Sequence, residues 1–98
     1  MTNYLKVTQL QNKNQFIIQT SDGVYFQSYN SLCAKVTNEE IVFGIDWDYS
    51  KTTLKHLYIF LDYYCYRIYS QIENSKNKRK ELLKMIEAGI IKYDKNMK

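Results

Sequence analysis

The chain holds one histidine, His56, and imidazole is the one side chain that titrates near neutrality without help from its surroundings. With Asp46 or Asp48 close by in sequence, it could serve as a general base acting on a hydroxyl or a water. Asp46, Asp48, Glu39, Glu40 and His56 together offer the carboxylate and imidazole donors that suit manganese, iron or zinc, although their spacing matches no ligand motif. Cys33 and Cys65 stand in apolar stretches, with neither metal-ligand spacing nor a neighbouring pattern that would lower a thiol pKa. Gly23, Gly44 and Gly89 are isolated, so no glycine-rich loop cradles a phosphate. One imidazole, two acids and no partnered nucleophile make a poor catalytic set. The residues therefore predict a protein with no catalytic residue, no metal and no cofactor.

The aromatic and basic residues offer a different chemistry. Five of the ten tyrosines (Tyr58, Tyr63, Tyr64, Tyr66 and Tyr69) fall within a dozen residues, with Arg67 among them. Tyrosine beside arginine is the composition of a protein–protein hot spot, and the same rings could stack nucleobases. Tyr58 and Tyr64 fit an apolar helical stripe, whereas Tyr63 and Tyr66 point mostly away from it. The bland alternative is that both merely flank a wide stripe. The net charge of +4 comes entirely from residues 73–98, above all Lys76-Asn77-Lys78-Arg79-Lys80. That run could contact phosphates, or be a solvated loop and helix start. The expected partner-binding residues are Tyr63, Tyr66, Arg67 and Tyr69, supported by Lys78, Arg79 and Lys80.

These side chains must be carried by a single domain, since 98 residues suffice for one core and are too few for two. At 45% hydrophobic and 24% charged the chain is globular. No run of about 18 apolar residues could span a membrane, and the N-terminus lacks the charged-then-apolar pattern of a signal peptide. The location expected is cytoplasmic, with both thiols reduced and buried.

Short apolar alternations fill residues 4–45. Tyr4 to Leu10 and Phe16 to Thr20 read as a hairpin around Gln11-Asn12-Lys13-Asn14. Asp22-Gly23 is a favoured two-residue turn, Ser28 to Ser31 bends or bulges the next strand, and Thr37 to Glu40 makes a further turn. Leu32, Ala34 and Val36 are expected on the core face, with Cys33 and Lys35 opposite; Ile41, Phe43 and Ile45 continue that face.

From Leu54 the period becomes helical: Leu54, Leu57, Tyr58, Leu61, Tyr64, Cys65, Ile68 and Ile72 make one stripe. Ser50 or Thr52 is the expected N-cap, and His56 lies on the first turn, off the stripe. A long helix is predicted over about 52–72, a polar break at Glu73 to Asn77, and a shorter helix over about 79–88 with Gly89 as a left-handed cap. Ile90 to Tyr93 could add a final strand, and the last five residues are expected to fray.

Two segments stand out together: Tyr25-Phe26-Gln27-Ser28-Tyr29-Asn30-Ser31 with Ala34-Lys35-Val36, and Trp47-Asp48-Tyr49-Ser50-Lys51-Thr52-Thr53 with Lys55-His56 and Phe60-Leu61. Their combination resembles a family of small, mostly uncharacterised proteins of phages and prophages in Gram-positive bacteria. The resemblance covers residues 24–61 and departs after Leu61, where a short helix and strand would be expected in place of the Tyr-rich extension. It implies a phage source and action inside a bacterial cytoplasm, and carries no activity that can be moved residue by residue. Small phage accessory proteins often bind and block a host machine, CRISPR effectors among them, an inference from class alone.

The sequence reading is therefore an α+β domain, with an antiparallel meander of four or five strands packed against one long amphipathic helix and a short C-terminal helix. Its expected function is non-enzymatic: binding and inhibiting a host protein such as a CRISPR effector or another defence complex. The alternative is a small nucleic-acid-binding regulator using residues 76–80. A homodimer is also compatible with the apolar surface.

Overall fold

Hydroxyl-organised turns divide the first half of the chain into strands. In the computed structural model, which describes residues 4–10 and 14–97, these are β1 (Tyr4–Gln9), β2 (Gln15–Thr20), β3 (Val24–Ser28), β4 (Ser31–Val36) and β5 (Ile41–Gly44). Thr20 Oγ1 accepts from the Asp22 and Gly23 amides at 3.1 and 3.2 Å, closing the β2–β3 connection. Thr37 Oγ1 accepts from the Glu39 and Glu40 amides at 3.2 and 3.1 Å, closing β4–β5 the same way. A threonine hydroxyl thus satisfies two turn amides that would otherwise lack partners. Of the predicted Gln11–Asn14 turn, residues 11–13 lie outside the described residues.

The sheet has six strands, in the order β1-β2-β3-β4-β5-β6, and not four or five. Ser28 and Ser31 pair across a tight turn with Tyr29 at φ 56, so the expected bend in one strand is a hairpin between two. The sixth strand, β6 (Lys92–Asp94), pairs with β5 in parallel, which makes the sheet mixed and not purely antiparallel. The connection is long enough to allow parallel pairing: the chain leaves β5, makes all three helices, and returns to the same edge. Of the last five residues, expected to fray, Lys98 lies outside the described residues and Asp94 to Met97 form a turn, with the Met97 amide donating to the Asp94 carbonyl at 3.1 Å. Gly44 permits this. A Cβ there would sit 2.6 Å from the Leu32 carbonyl oxygen and collide with that of Met97.

The long helix predicted over 52–72 is two helices, α1 (Lys51–Tyr64) and α2 (Tyr66–Ile72). Cys65 interrupts them at φ −148 and ψ 60 while its amide still donates to the Leu61 carbonyl. Tyr63-Tyr64-Cys65-Tyr66 contains no strong helix former, so local propensity does not resist the break. After it, Ile68 and Ile72 remain fully buried. The short helix α3 (Lys78–Glu87) starts one residue earlier than expected, with the Asn77 side chain accepting from the Lys80 amide. It ends in a Schellman motif: Ile90 donates to the Met85 carbonyl, Gly89 donates to that of Ile86, and Gly89 takes φ +80.

Ser50, and not Thr52, caps α1; its hydroxyl accepts from the Thr53 amide at 3.1 Å. Thr53 Oγ1 lies 3.1 Å from Ser50 Oγ and 2.8 Å from Ser28 Oγ on β3. The cap is therefore joined to the sheet by a chain of three hydroxyls. Ser50→Ala is expected to cost about 1 kcal/mol, measured as a lowered urea midpoint at unchanged m-value; an unshifted midpoint would show the cap to be idle.

The core lies between the sheet and the helices. Phe26 of β3 stacks on Phe60 of α1 at 5.8 Å, and Phe60 meets Tyr64 at 5.4 Å. Two strand residues change sides relative to expectation. Cys33 is fully buried beside Ala34, because it is the extra residue of a bulge: Phe26 pairs with Ala34 but Gln27 with Leu32. Ile45 is exposed, because the chain turns after Gly44, where the Trp47 amide donates to the Gly44 carbonyl. Burial also carries a chemical consequence for Cys33, whose thiol pKa is pushed up to about 12 by desolvation, only partly offset by a backbone hydrogen bond. The folded state therefore holds the proton where the unfolded chain has released it, so stability should fall as pH rises from about 9 toward 12. An alkaline urea series tests the sign, with Cys33→Ala flattening the trend.

Candidate functional site

The residues that could have formed a catalytic set are each engaged elsewhere. His56, expected off the apolar stripe, is buried at 3% exposure. Its Nδ1 lies 2.9 Å from the Thr52 carbonyl oxygen, so the ring donates from Nδ1. Its Nε2 is buried with no hydrogen-bond partner among the described residues. Asp48 accepts from Arg79, at 2.8 Å from Nε and 2.7 Å from Nη2. Asp46 Oδ2 accepts from the Ser31 hydroxyl at 2.6 Å. Among the described residues no three His, Cys, Asp or Glu side chains are grouped to hold a metal ion.

The helices present the expected binding residues in two sets. Tyr63 is 78% exposed and Tyr66 52%, with Arg67 exposed beside them. The break at Cys65 puts these exposed residues at the junction of α1 and α2. The Tyr66 hydroxyl donates to Glu73 at 3.1 Å, and this hydrogen bond, with the carboxylate's charge, raises its pKa above the usual phenol value. The Tyr66 ring contacts that of Tyr69 at 6.3 Å.

Tyr69 and Lys78 then line a groove of about 490 Å³, together with Leu54, Tyr58, Ile59 and Asp62. Lys51 and Lys55 complete its rim. Ile59 and Tyr63 are one helical turn apart on the same row, so the exposed rings adjoin the groove. Tyr58 is half-buried there, and desolvation raises its hydroxyl pKa.

The basic residues divide. Arg79 places its guanidinium on Asp48, with Cζ 5.9 Å from the centre of the Trp47 ring, and so ties α3 to the corner after β5. Lys78 Nζ lies 3.4 Å from the Ser75 carbonyl oxygen, whereas Lys76 and Lys80 are exposed.

A second concavity went unforeseen from the sequence. The β3–β4 turn and the corner before α1 enclose about 440 Å³, lined by Ser28, Tyr29, Asn30, Ser31, Asp46 and Tyr49. The Tyr29 and Tyr49 rings stand 6.1 Å apart at 65°. The two sequence segments that stood out together thus meet in space through Ser28–Thr53 and Tyr29–Tyr49, with Ser31 also bonded to Asp46 just before the second. The available signal was a tyrosine flanked by small polar residues in each segment. What the sequence lacked was the pairing that brings them together.

Residues 2–81 match a family of unknown function, DUF8033. The chain belongs to this family. The DUF8033 region takes in β1 to β5, α1, α2 and the start of α3, and with them both concavities. No curated protein and no solved structure matches the chain.

Proposed function

We propose that this DUF8033 protein acts by binding another protein through the outer face of α1 and α2, and that its effect is steric. The observation that carries this reading is the exposure of Tyr63 and Tyr66 at 78% and 52%, beside Arg67 and the groove. Large aromatic rings left in water forgo the burial that stabilises a small domain, and a partner would restore it. The rings sit on helices, so they lose little freedom on binding. The resemblance to phage proteins supports a bacterial host protein as the partner, with a defence nuclease or its complex the first candidate. The nucleic-acid alternative draws less support, because Arg79 is committed to Asp48 and Trp47.

The test is capture of host proteins on the immobilised protein, identified by mass spectrometry and then measured with the purified partner. Tyr63→Ala with Tyr66→Ala is expected to weaken binding by about tenfold or more while leaving the thermal midpoint unchanged, as exposed side chains should. Retained affinity would remove this face from the interface. A capture profile empty but for the protein itself, with a dimer on sedimentation, would reassign the face to self-association. Binding to duplex or single-stranded nucleic acid that falls with salt and survives the double substitution would favour the alternative.

A further inference from the structure

The corner concavity holds a combination of groups that the helical face does not use. We infer that the site formed by Tyr29, Tyr49 and Asp46 binds an organic cation, a guanidinium or alkylammonium group. The two rings meet at 65°, so they form adjoining walls of a recess and not one flat platform. Each ring face carries the negative end of an aromatic quadrupole, which attracts a cation lying within about 6 Å of it.

Among the described residues, Asp46 is the one ionisable group of the lining besides the phenols, and no lysine or arginine is among them. Its carboxylate is held by the Ser31 hydroxyl at 2.6 Å, which fixes its direction and leaves further lone pairs open. The walls are anchored as well. The Tyr29 amide donates to the Asn14 carbonyl at 2.7 Å, and the Tyr49 amide donates to that of Asp46 at 3.1 Å. Tyr49 is nevertheless 69% exposed, a ring held in place over a recess rather than packed into the core.

The charge sign decides among ligands. An anion would meet Asp46 with no compensating cation among the described lining residues, and a neutral polar group would gain nothing from the ring quadrupoles. A cation gains from both rings and from the carboxylate, in a recess that keeps part of the bulk water out. This site lies at the N-terminal end of α1, away from Tyr63 and Tyr66 at its other end, and the inference does not depend on the helical face being an interface.

Titration of the isotope-labelled protein, followed by two-dimensional NMR, tests it with three probes: N-acetylarginine amide, tetramethylammonium, and N-acetylcitrulline amide as the neutral match for arginine. The cationic probes should shift Tyr29, Asn30 and Tyr49 saturably below about 100 mM, and citrulline should not. Tyr49→Ala should weaken the response about fivefold without moving the thermal midpoint. Asp46→Asn should weaken it similarly, and Tyr49→Ala decides the matter should that variant unfold. A short peptide with one central arginine separates the sources. Tighter binding than the free amide assigns the site to a side chain of a partner protein, and equal binding assigns it to a free organic cation. Citrulline binding as well as arginine, shifts that Tyr49→Ala leaves intact, or no saturable shift with either cation would overturn the inference.

Discussion

Phe60→Ala should remove a large share of the protein's stability. Phe60 has no exposed surface and touches Phe26 on the sheet and Tyr64 further along its own helix. Truncation would remove a ring from between the layers and leave a cavity that two strands and a helix cannot close without shifting. Losses of about 3–5 kcal/mol follow such changes, against a total stability of about 5–15 kcal/mol for a small domain. At about 4–8 °C per kcal/mol for a chain of this length, the midpoint on a thermal circular-dichroism scan should drop by tens of degrees. A fall of only a few degrees would show that the Phe26–Phe60 stack is not where sheet and helix are joined.

Gly44→Ala is expected to be the next most damaging single change, and for a different reason. The added methyl group meets backbone oxygens on two sides, from Leu32 and Met97. Flexible side-chain ends could swing away, but a carbonyl in β4 moves only with its strand. A cost of about 1–3 kcal/mol is the ordinary range for forcing a methyl into filled space, and the double encounter puts this site toward the top of it. Gly89 makes the comparison. Its φ of +80 disfavours a side chain, yet a Cβ there would have nothing within 4 Å. Gly89→Ala should therefore cost less than Gly44→Ala in the same urea series, and the reverse order would put backbone conformation ahead of collision.

Much of this architecture was legible in the residues, and what was not shares a physical cause. The turns at Thr20–Gly23 and Thr37–Glu40, the Ser50 cap and the Gly89 terminus are local, each set by a side chain within a few positions of the backbone group it satisfies. The break at Cys65 carries no glycine or proline to announce it, and a stripe of period 3.6 runs across it unaltered. The parallel β5–β6 pair joins residues about fifty positions apart through a strand with every residue exposed, so alternation within it says nothing about its partner. Cys33 faces inward through a bulge that depends on the register of the neighbouring strand, and His56 is buried although it lies off the apolar stripe that marks the core face of α1.

The same division runs through the candidate sites. Exposure of Tyr63 and Tyr66 followed from helical phase, whereas the groove beside them needed Tyr69 and Lys78 from beyond the break. Arg79 read as a surface cation, and its fixed partners, Asp48 and Trp47, lie about thirty residues upstream. The corner recess needed the β3–β4 turn to meet a stretch some fifteen residues further on.

The parallel strand also sets an order of assembly. Every strand pairing among β1 to β5 joins a strand to its immediate successor, so each hairpin can close within a short loop and at little entropic cost. β6 has no such option: its place against Val42, Phe43 and Gly44 exists only after α1, α2 and α3 have brought the chain back. The outer edge of β5 thus stays open until the end, a hydrogen-bonding row available to any other strand in the meantime. In pulse-labelled hydrogen exchange during refolding, the β2–β3 amides should gain protection before those joining β5 to β6. A chain kept from making that last pairing should associate through β5, while the complete fold covers that edge with β6.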